Sequence, residues 1–239
     1  MSLKAVLFDF NGVMIDDEPI HEELIRELLV AENLRVTSEE VRQVCLGRSD
    51  RACLQDLLSR RGRVVTPEIL DDLIDRKARA YRQRLQSMEE LPLYAGLGEL
   101  IPALLAAGLR LAVVTGAIRA EVEWVLTRAG LIEYFSAIVA GDDITTSKPE
   151  PDGYLLAVER LNWADTRLNL QPAECLAIED TFAGIEAAKR AGIPVVGVAH
   201  TYPFHMLQRR ADWCVDYLTD LELERIQRVC GEVTPSAPS

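Results

Sequence analysis

Apolar positions along the chain fall into two patterns that succeed one another. Five short runs are continuously apolar: KAVLFDF at 4–10, LRLAVVTG at 109–116, SAIVAGDD at 136–143, ECLAIED at 174–180 and IPVVGVAH at 193–200. Unbroken runs of this length suit parallel strands covered by helices on both faces. Between the later runs, AEVEWVLTRAG and TFAGIEAAKRAG carry apolar residues at helical spacing, and each closes on a glycine suited to a helix C-terminus. Strand, helix and strand in this rhythm predict an α/β protein with a doubly wound, Rossmann-like parallel sheet.

The rhythm breaks once. From Asp16 to about Leu91 there is no strand run, only helical periodicity: Ile20, Leu24 and Leu28 mark one helix, Leu54, Leu57 and Leu58 a second, and Ile69, Leu73 and Ile74 a third. LPLYAGLGEL then carries proline and glycine and returns the chain to βα alternation. An all-helical insert directly after the first strand reads as a cap, over residues 16–91, on a core built from residues 1–15 and 92–232. The Pro/Ser-rich end, 233–239, is expected to be a flexible tail.

In a doubly wound sheet, ligands bind beyond the carboxyl ends of the strands. The polar residues at those ends are Asp9 and Asn11 after the first run, Thr115 and Gly116 after the second, Asp142, Asp143 and Lys148 after the third, and Glu179 and Asp180 after the fourth. Singly, each has an ordinary use, as a helix cap, a solvated charge or an acid at a helix N-terminus. Together they bring carboxylates, a hydroxyl and an ammonium group to one rim. Asp9 and Asp180 are hard oxygen ligands suited to Mg²⁺. A carboxylate beside such a metal can attack phosphorus and form an aspartyl phosphate. Lys148, the Thr115 hydroxyl and loop amides can then stabilise the transferring group.

Composition narrows the partners. The formal net charge of −12 over 239 residues argues against nucleic acid and against an anionic membrane surface, but not against a small anion in a local basic pocket. The five cysteines, Cys45, Cys53, Cys175, Cys214 and Cys230, show no CxxC spacing. They are expected to be reduced thiols of a cytoplasmic protein, with no zinc site. No leader pattern opens the chain and no apolar run approaches the ~20 residues of a spanning helix. A monomer or weak homo-oligomer is expected.

FDFNGV, VVTGA, SKPEPDGY and IEDTFAGIEAA stand in the order and spacing of the four motifs of the haloacid dehalogenase superfamily. The chain resembles that superfamily over all but its tail, and IDDEPIH is similar to its β-phosphoglucomutase-like and CbbY-like subgroup. The resemblance implies that Asp9 is the nucleophile and a Mg²⁺ ligand, and that residue 11 lends its backbone carbonyl to the metal. Asp180 would complete the metal site with Glu179 beside it. Thr115, Gly116 and Ala117 would hold the transferring phosphoryl group, and Lys148 would bridge it to Asp9. His21 and Glu18 would face the site from the start of the cap. GRSDR matches the cap loop that reads the substrate, so Arg48 or Arg51 would grip its distal part. The implied activity is hydrolysis of a phosphate monoester of a small metabolite, with sugar phosphomutase activity as the alternative.

Asn11 departs from the pattern. Most members carry Asp there, as the acid for the leaving oxygen and then the base for the acceptor. An amide keeps the geometry but cannot exchange a proton at neutral pH. Three explanations remain open on the sequence: an atypical phosphatase, slow or suited to good leaving groups; transfer of the proton role to His21 or Glu18; or a phosphometabolite-binding protein that has lost turnover.

Overall fold

The computed structural model describes residues 2–222 and 224–226. The five apolar runs form strands β1 (Ala5–Phe8), β2 (Arg110–Val114), β3 (Ala137–Val139), β4 (Cys175–Glu179) and β5 (Val195–Val198), and a sixth, β6 (Trp213–Val215), joins them at the edge. All pairings are parallel, in the order β3-β2-β1-β4-β5-β6. The order reverses at β1, which lies between β2 and β4. The β1/β4 junction is therefore the switch point where a doubly wound sheet opens a crevice. β6 escapes the sequence pattern because its three residues are too few to show a period.

Alternate residues of β1 feed opposite layers, as the pleat requires. Val6 and Phe8 pack with α5 (Leu97–Ala106) and α6 (Arg119–Arg128). Ala5 and Leu7 pack with α7 (Asp152–Ala164) and α8 (Phe182–Arg190). Burial on both faces accounts for the unbroken apolar runs.

Four helices, not three, lie between β1 and α5: α1 (Glu18–Ala31), α2 (Ser38–Cys45), α3 (Asp50–Ser59) and α4 (Pro67–Gln86). The sequence does not announce α2, because Val41 and Val44 are its only buried residues. On α4 the buried stripe runs through Leu70, Leu73, Ile74, Lys77, Tyr81 and Leu85, so Ile69 falls one residue out of phase and is exposed. The four helices share an apolar cluster of their own, which makes them a cap with its own core. The chain enters and leaves it side by side: Asp16 N–H donates to Pro92 O at 2.8 Å and Tyr94 N–H to Met14 O at 3.1 Å.

The cysteine expectation needs correction. Cys45 and Cys53 form a disulfide, with Cα atoms 4.7 Å apart across eight residues. The loop between α2 and α3 folds Cys53 back beside Cys45, a proximity that spacing alone cannot reveal. Cys175 and Cys214 are buried thiols, while Cys230 and the expected tail lie outside the described residues. No described helix is long and apolar enough to cross a membrane.

Candidate active site

Asp9, Thr115, Glu179 and Asp180 are fixed by the ends of strands. Asp9 N–H bonds to Ile178 O at 3.0 Å, which extends the β1/β4 ladder by one residue and holds Asp9 at the sheet's tip. Thr115 is held likewise, by its N–H to Val139 O at 2.9 Å. The chain turns after Asn11 at Gly12, where φ is +76° and a Cβ would stand 2.0 Å from Asp180 Oδ2; only glycine fits there. α8 is capped by the Thr181 hydroxyl, which accepts from Gly184 N–H at 3.1 Å. Glu179 and Asp180 are thus not needed as caps.

Lys148 Nζ lies 2.9 Å from Asp9 Oδ1, 2.6 Å from Glu179 Oε1 and 3.1 Å from Val114 O. All three ammonium donors are used, and they lock Asp9 to Glu179. Tyr154 O–H donates to the same Glu179 oxygen at 2.6 Å. The Thr201 hydroxyl donates to Asp180 Oδ2. Asp180 Oδ1 is buried and accepts no hydrogen bond. Oxygens of Asp9, Glu179 and Asp180 all lie within 4.8 Å of one another. A buried trio of carboxylates faced by a single lysine, with one oxygen left without a donor, has the composition of a site for a hard divalent cation such as Mg²⁺.

The electrostatics agree. Burial, then the charge of Glu179, push the Asp9 carboxyl up to about 7 against the opposing pull of Lys148. Burial and the charges of Asp9 and Glu179 raise Asp180 well above the carboxylate range. Without a metal, the folded protein therefore holds protons that the unfolded chain has lost between about pH 4 and 7, and this cluster stabilises the fold less as pH rises through that window. A cation requires the ionised carboxylates. The Mg²⁺-induced rise in Tm is accordingly expected to be larger at about pH 7.5 than at about pH 5.5. Thermal denaturation with Mg²⁺ and with a chelator measures it; an equal or reversed increment would contradict the cluster as the binding site.

A cavity of about 770 Å³ opens over Asp9 between core and cap, and Asn11, Glu18, His21, Arg48 and Lys77 are among its walls, with Gly116 and Ala117 on the core side. Thr115, Gly116 and Lys148 share an adjoining small recess with Ser49 of the cap. The Thr115 hydroxyl accepts from Ala117 N–H at 3.0 Å. Glu18 faces the cavity, with burial raising its carboxyl to about 7. Arg48 lines the cavity, but its guanidinium is held by Asp56 at 2.7 Å and by Val44 O at 2.9 Å. Arg51 pairs instead with Asp71 and stands outside the cavity wall. Asp142 and Asp143 serve the scaffold: Asp142 accepts from Arg119 N–H at the start of α6, and Asp143 accepts from Ala140 N–H and pairs with Arg119 and Arg160.

Sequence reasoning named His21 but missed Asp17, Tyr81 and Lys77, which stand with it around Asn11. Its amide Nδ2 donates to Asp17 at 2.9 Å and lies 3.0 Å from His21 Nε2. His21 Nε2 is 3.2 Å from Asp17 Oδ2, which also accepts from the Tyr81 hydroxyl. Lys77 stacks 5.7 Å over the Tyr81 ring and reaches Asp50 at 2.6 Å and Glu121 at 3.5 Å. A buried polar chain therefore runs from α6 through α4 to Asn11. Burial and Lys77 lower the basicity of His21, but the charge and hydrogen bond of Asp17, with Glu121, outweigh them and leave its pKa raised. The doubled acid in IDDEPIH was visible in the sequence, whereas Lys77 and Tyr81 sit in a helix so rich in charge that nothing sets them apart.

A family profile for haloacid dehalogenase-like hydrolases matches residues 3–192, which carry Asp9, Thr115, Lys148, Glu179 and Asp180. The chain belongs to the haloacid dehalogenase-like hydrolase family. Among members of that family, it is 32% identical over 202 residues to the phosphorylated carbohydrates phosphatase of Thermotoga maritima, covering 83% of this chain and 87% of the relative. It is 31% identical over 225 residues to the β-phosphoglucomutase of Bacillus subtilis, covering 93% of each. Its fold superposes on a crystal structure of CbbY from Rhodobacter sphaeroides in complex with phosphate, with a TM-score of 0.79 at 27% identity over 92% of this chain and 96% of the other.

Proposed function

We propose that this protein is a Mg²⁺-dependent phosphatase of a small phosphorylated metabolite, working through an aspartyl phosphate on Asp9, with His21 carrying the proton that Asn11 cannot. The observation that supports it most is Asp9 itself: a carboxylate at the switch point, clamped by Lys148, beside an acidic cluster with an unsatisfied oxygen, at the foot of a capped cavity. Mg²⁺ held by Asp9 and Asp180, with Glu179 beside them and the backbone carbonyl of Asn11, supplies charge neutralisation for the phosphoryl group. Lys148 holds one Asp9 oxygen in place and balances charge as the phosphoryl oxygens arrive. The Thr115 hydroxyl and the turn at Gly116 and Ala117 form the cradle.

An Asp9 oxygen attacks phosphorus, and the bond to the leaving oxygen breaks. That oxygen takes a proton from the His21 imidazole. Water then attacks the aspartyl phosphate, gives its proton to His21 and releases phosphate and free Asp9. Asp17, fully buried, lies 3.2 Å from Nε2 and favours the charged imidazole, so the proton transferred would be the one on the other ring nitrogen. Asn11 positions Asp17 by donating its amide N–H to that carboxylate.

The cap wall bears on the substrate. Arg42, Arg48 and Lys77 line the cavity, and each is already paired with a carboxylate: Glu22, Asp56 and Asp50. Arg26 lines the same wall without an ion pair among the described residues, so a sugar phosphate could place either a neutral polyol or a second anionic group there. The similarity to β-phosphoglucomutase supports phosphomutase activity as the second reading. A screen of sugar phosphates, phosphoglycolate and nucleotide monophosphates with Mg²⁺, scored for both free phosphate and isomerised sugar phosphate, separates the two. Release of phosphate from at least one monoester is expected; neither product from any of them would overturn both readings.

A further inference from the structure

The disulfide takes no part in phosphoryl transfer, yet it stands in the cavity. Cys45 ends α2, Cys53 lies in the second turn of α3, and both line the cavity wall. Cys53 is 1% exposed and belongs to the cap's apolar cluster, whereas Cys45 is only half-buried. The bridge spans the ends of the loop Leu46–Ser49, and this loop carries the cap onto the phosphoryl cradle. Ser49 N–H donates to Ser147 Oγ at 2.8 Å, one residue before Lys148. A Cβ on Gly116 would stand 2.8 Å from the backbone carbonyl of Arg48, so loop and cradle touch backbone to backbone.

We propose that Cys45–Cys53 is a reversible thiol–disulfide modification site, reached through the substrate cavity, whose oxidised form holds the Leu46–Ser49 loop on the cradle. Its partner is a dithiol reductant. One thiolate of the dithiol attacks Cys45 Sγ, the more accessible sulfur; the S–S bond breaks and Cys53 leaves as a thiolate that takes up a proton. The second thiol of the dithiol then attacks the mixed disulfide. Cys45 departs as a thiol and the dithiol leaves as its own cyclic disulfide, so two electrons pass and no other reactant is needed. Reoxidation is the same exchange with the oxidised dithiol. Once the bridge is open, α2 and α3 are still joined by packing, by Arg48 between Val44 O and Asp56 and by the Glu40–Arg61 pair, but the loop loses its one covalent cross-link and the Ser49–Ser147 contact is less firmly anchored.

The test has two parts that need no turnover. Protein treated with an oxidised dithiol is alkylated and mapped without reduction; a linked pair of peptides containing Cys45 and Cys53 is expected, and both become alkylated after dithiothreitol. Hydrogen exchange of amides 46–49 should then be about tenfold faster in the reduced protein. Alkylation of both cysteines in the oxidised sample would overturn the proposal, as would equal exchange in the two forms. Cys45→Ser with Cys53→Ser mimics the reduced state and should show fast exchange that dithiothreitol leaves unchanged; a response to dithiothreitol in that variant would move the effect to another cysteine. A third readout rests on the proposed phosphatase activity: KM should rise several-fold on reduction, with kcat little changed. Absence of phosphate release in both redox states would count against that activity and leave the mapping and exchange results to decide the redox site.

Discussion

Asp180→Asn is expected to lower kcat by about 10³-fold or more on the best substrate found, and to remove the Mg²⁺-dependent rise in Tm, while the metal-free protein stays folded. The amide keeps the size of Asp180 and can still accept from the Thr201 hydroxyl. It removes a carboxyl whose ionised form the buried cluster disfavours in the metal-free state. What is lost is a hard anionic ligand, and metal stabilisation of a phosphoryl transition state is worth several kcal/mol, or roughly 10³-fold in rate. Calorimetry and steady-state kinetics measure both effects. Unchanged Mg²⁺ affinity in this variant would remove Asp180 from the metal site, and with it the reading of the carboxylate trio.

His21→Gln carries the second large effect. On alkyl phosphates, whose leaving oxygen needs a proton, kcat should fall by about 10²–10⁴-fold, the usual worth of a general acid and base. On acyl phosphates, which leave readily as anions, the loss should be much smaller while formation of the aspartyl phosphate is slow. KM should move little, because the lost interaction belongs to the transition state. Adding Asn11→Asp to His21→Gln should restore turnover on alkyl phosphates, since it returns an ionisable group to the position next to Asp9. The rescue separates proton transfer from positioning, because a purely structural histidine would not be replaced by a carboxyl group at residue 11. Wild-type kcat on alkyl phosphates in His21→Gln would leave Glu18 as the remaining candidate, facing the cavity with its carboxyl near 7.

The surroundings of Asn11 also change how its departure from the family pattern reads. In the sequence it is a missing acid. In the fold it donates to a buried carboxylate, with the His21 imidazole 3.0 Å away. An aspartate at position 11 would face the Asp17 carboxylate at the distance now spanned by a hydrogen bond, and the pair could keep that contact only by sharing a proton. Asn11 and Asp17 are therefore best understood together, as an amide and a carboxylate that suit one another.

Much of this was legible along the chain because it rests on local periodicity. Continuous apolar runs arise where a strand is covered on both faces, so five of the six strands could be read in order, and each polar residue at a strand's end had to lie on the same rim of a parallel sheet. Asp9, Thr115, Lys148, Glu179 and Asp180 follow from that geometry, as does the helical insert after β1. Other features depend on which distant segments meet, and no local signal carries that. The packing of α4 against α1 and α6 places Lys77 and Tyr81 beside Asp17 and Glu121; the α2–α3 turn closes the disulfide; and α2 itself, with two buried valines, is held mainly by its neighbours. Arg48 and Arg51 show the same limit: their sequence position suggests a grip on substrate, but each guanidinium is engaged by a carboxylate that only the folded cap brings within reach. The sequence by itself determined the sheet, the polar residues gathered at its strand ends and the helical insert after the first strand, because strand period and strand-end position are properties of short segments. The tertiary structure alone decided which groups surround Asn11 and how the Leu46–Ser49 loop meets Gly116 and Ser147, because burial and charge pairing between segments far apart in the chain set both.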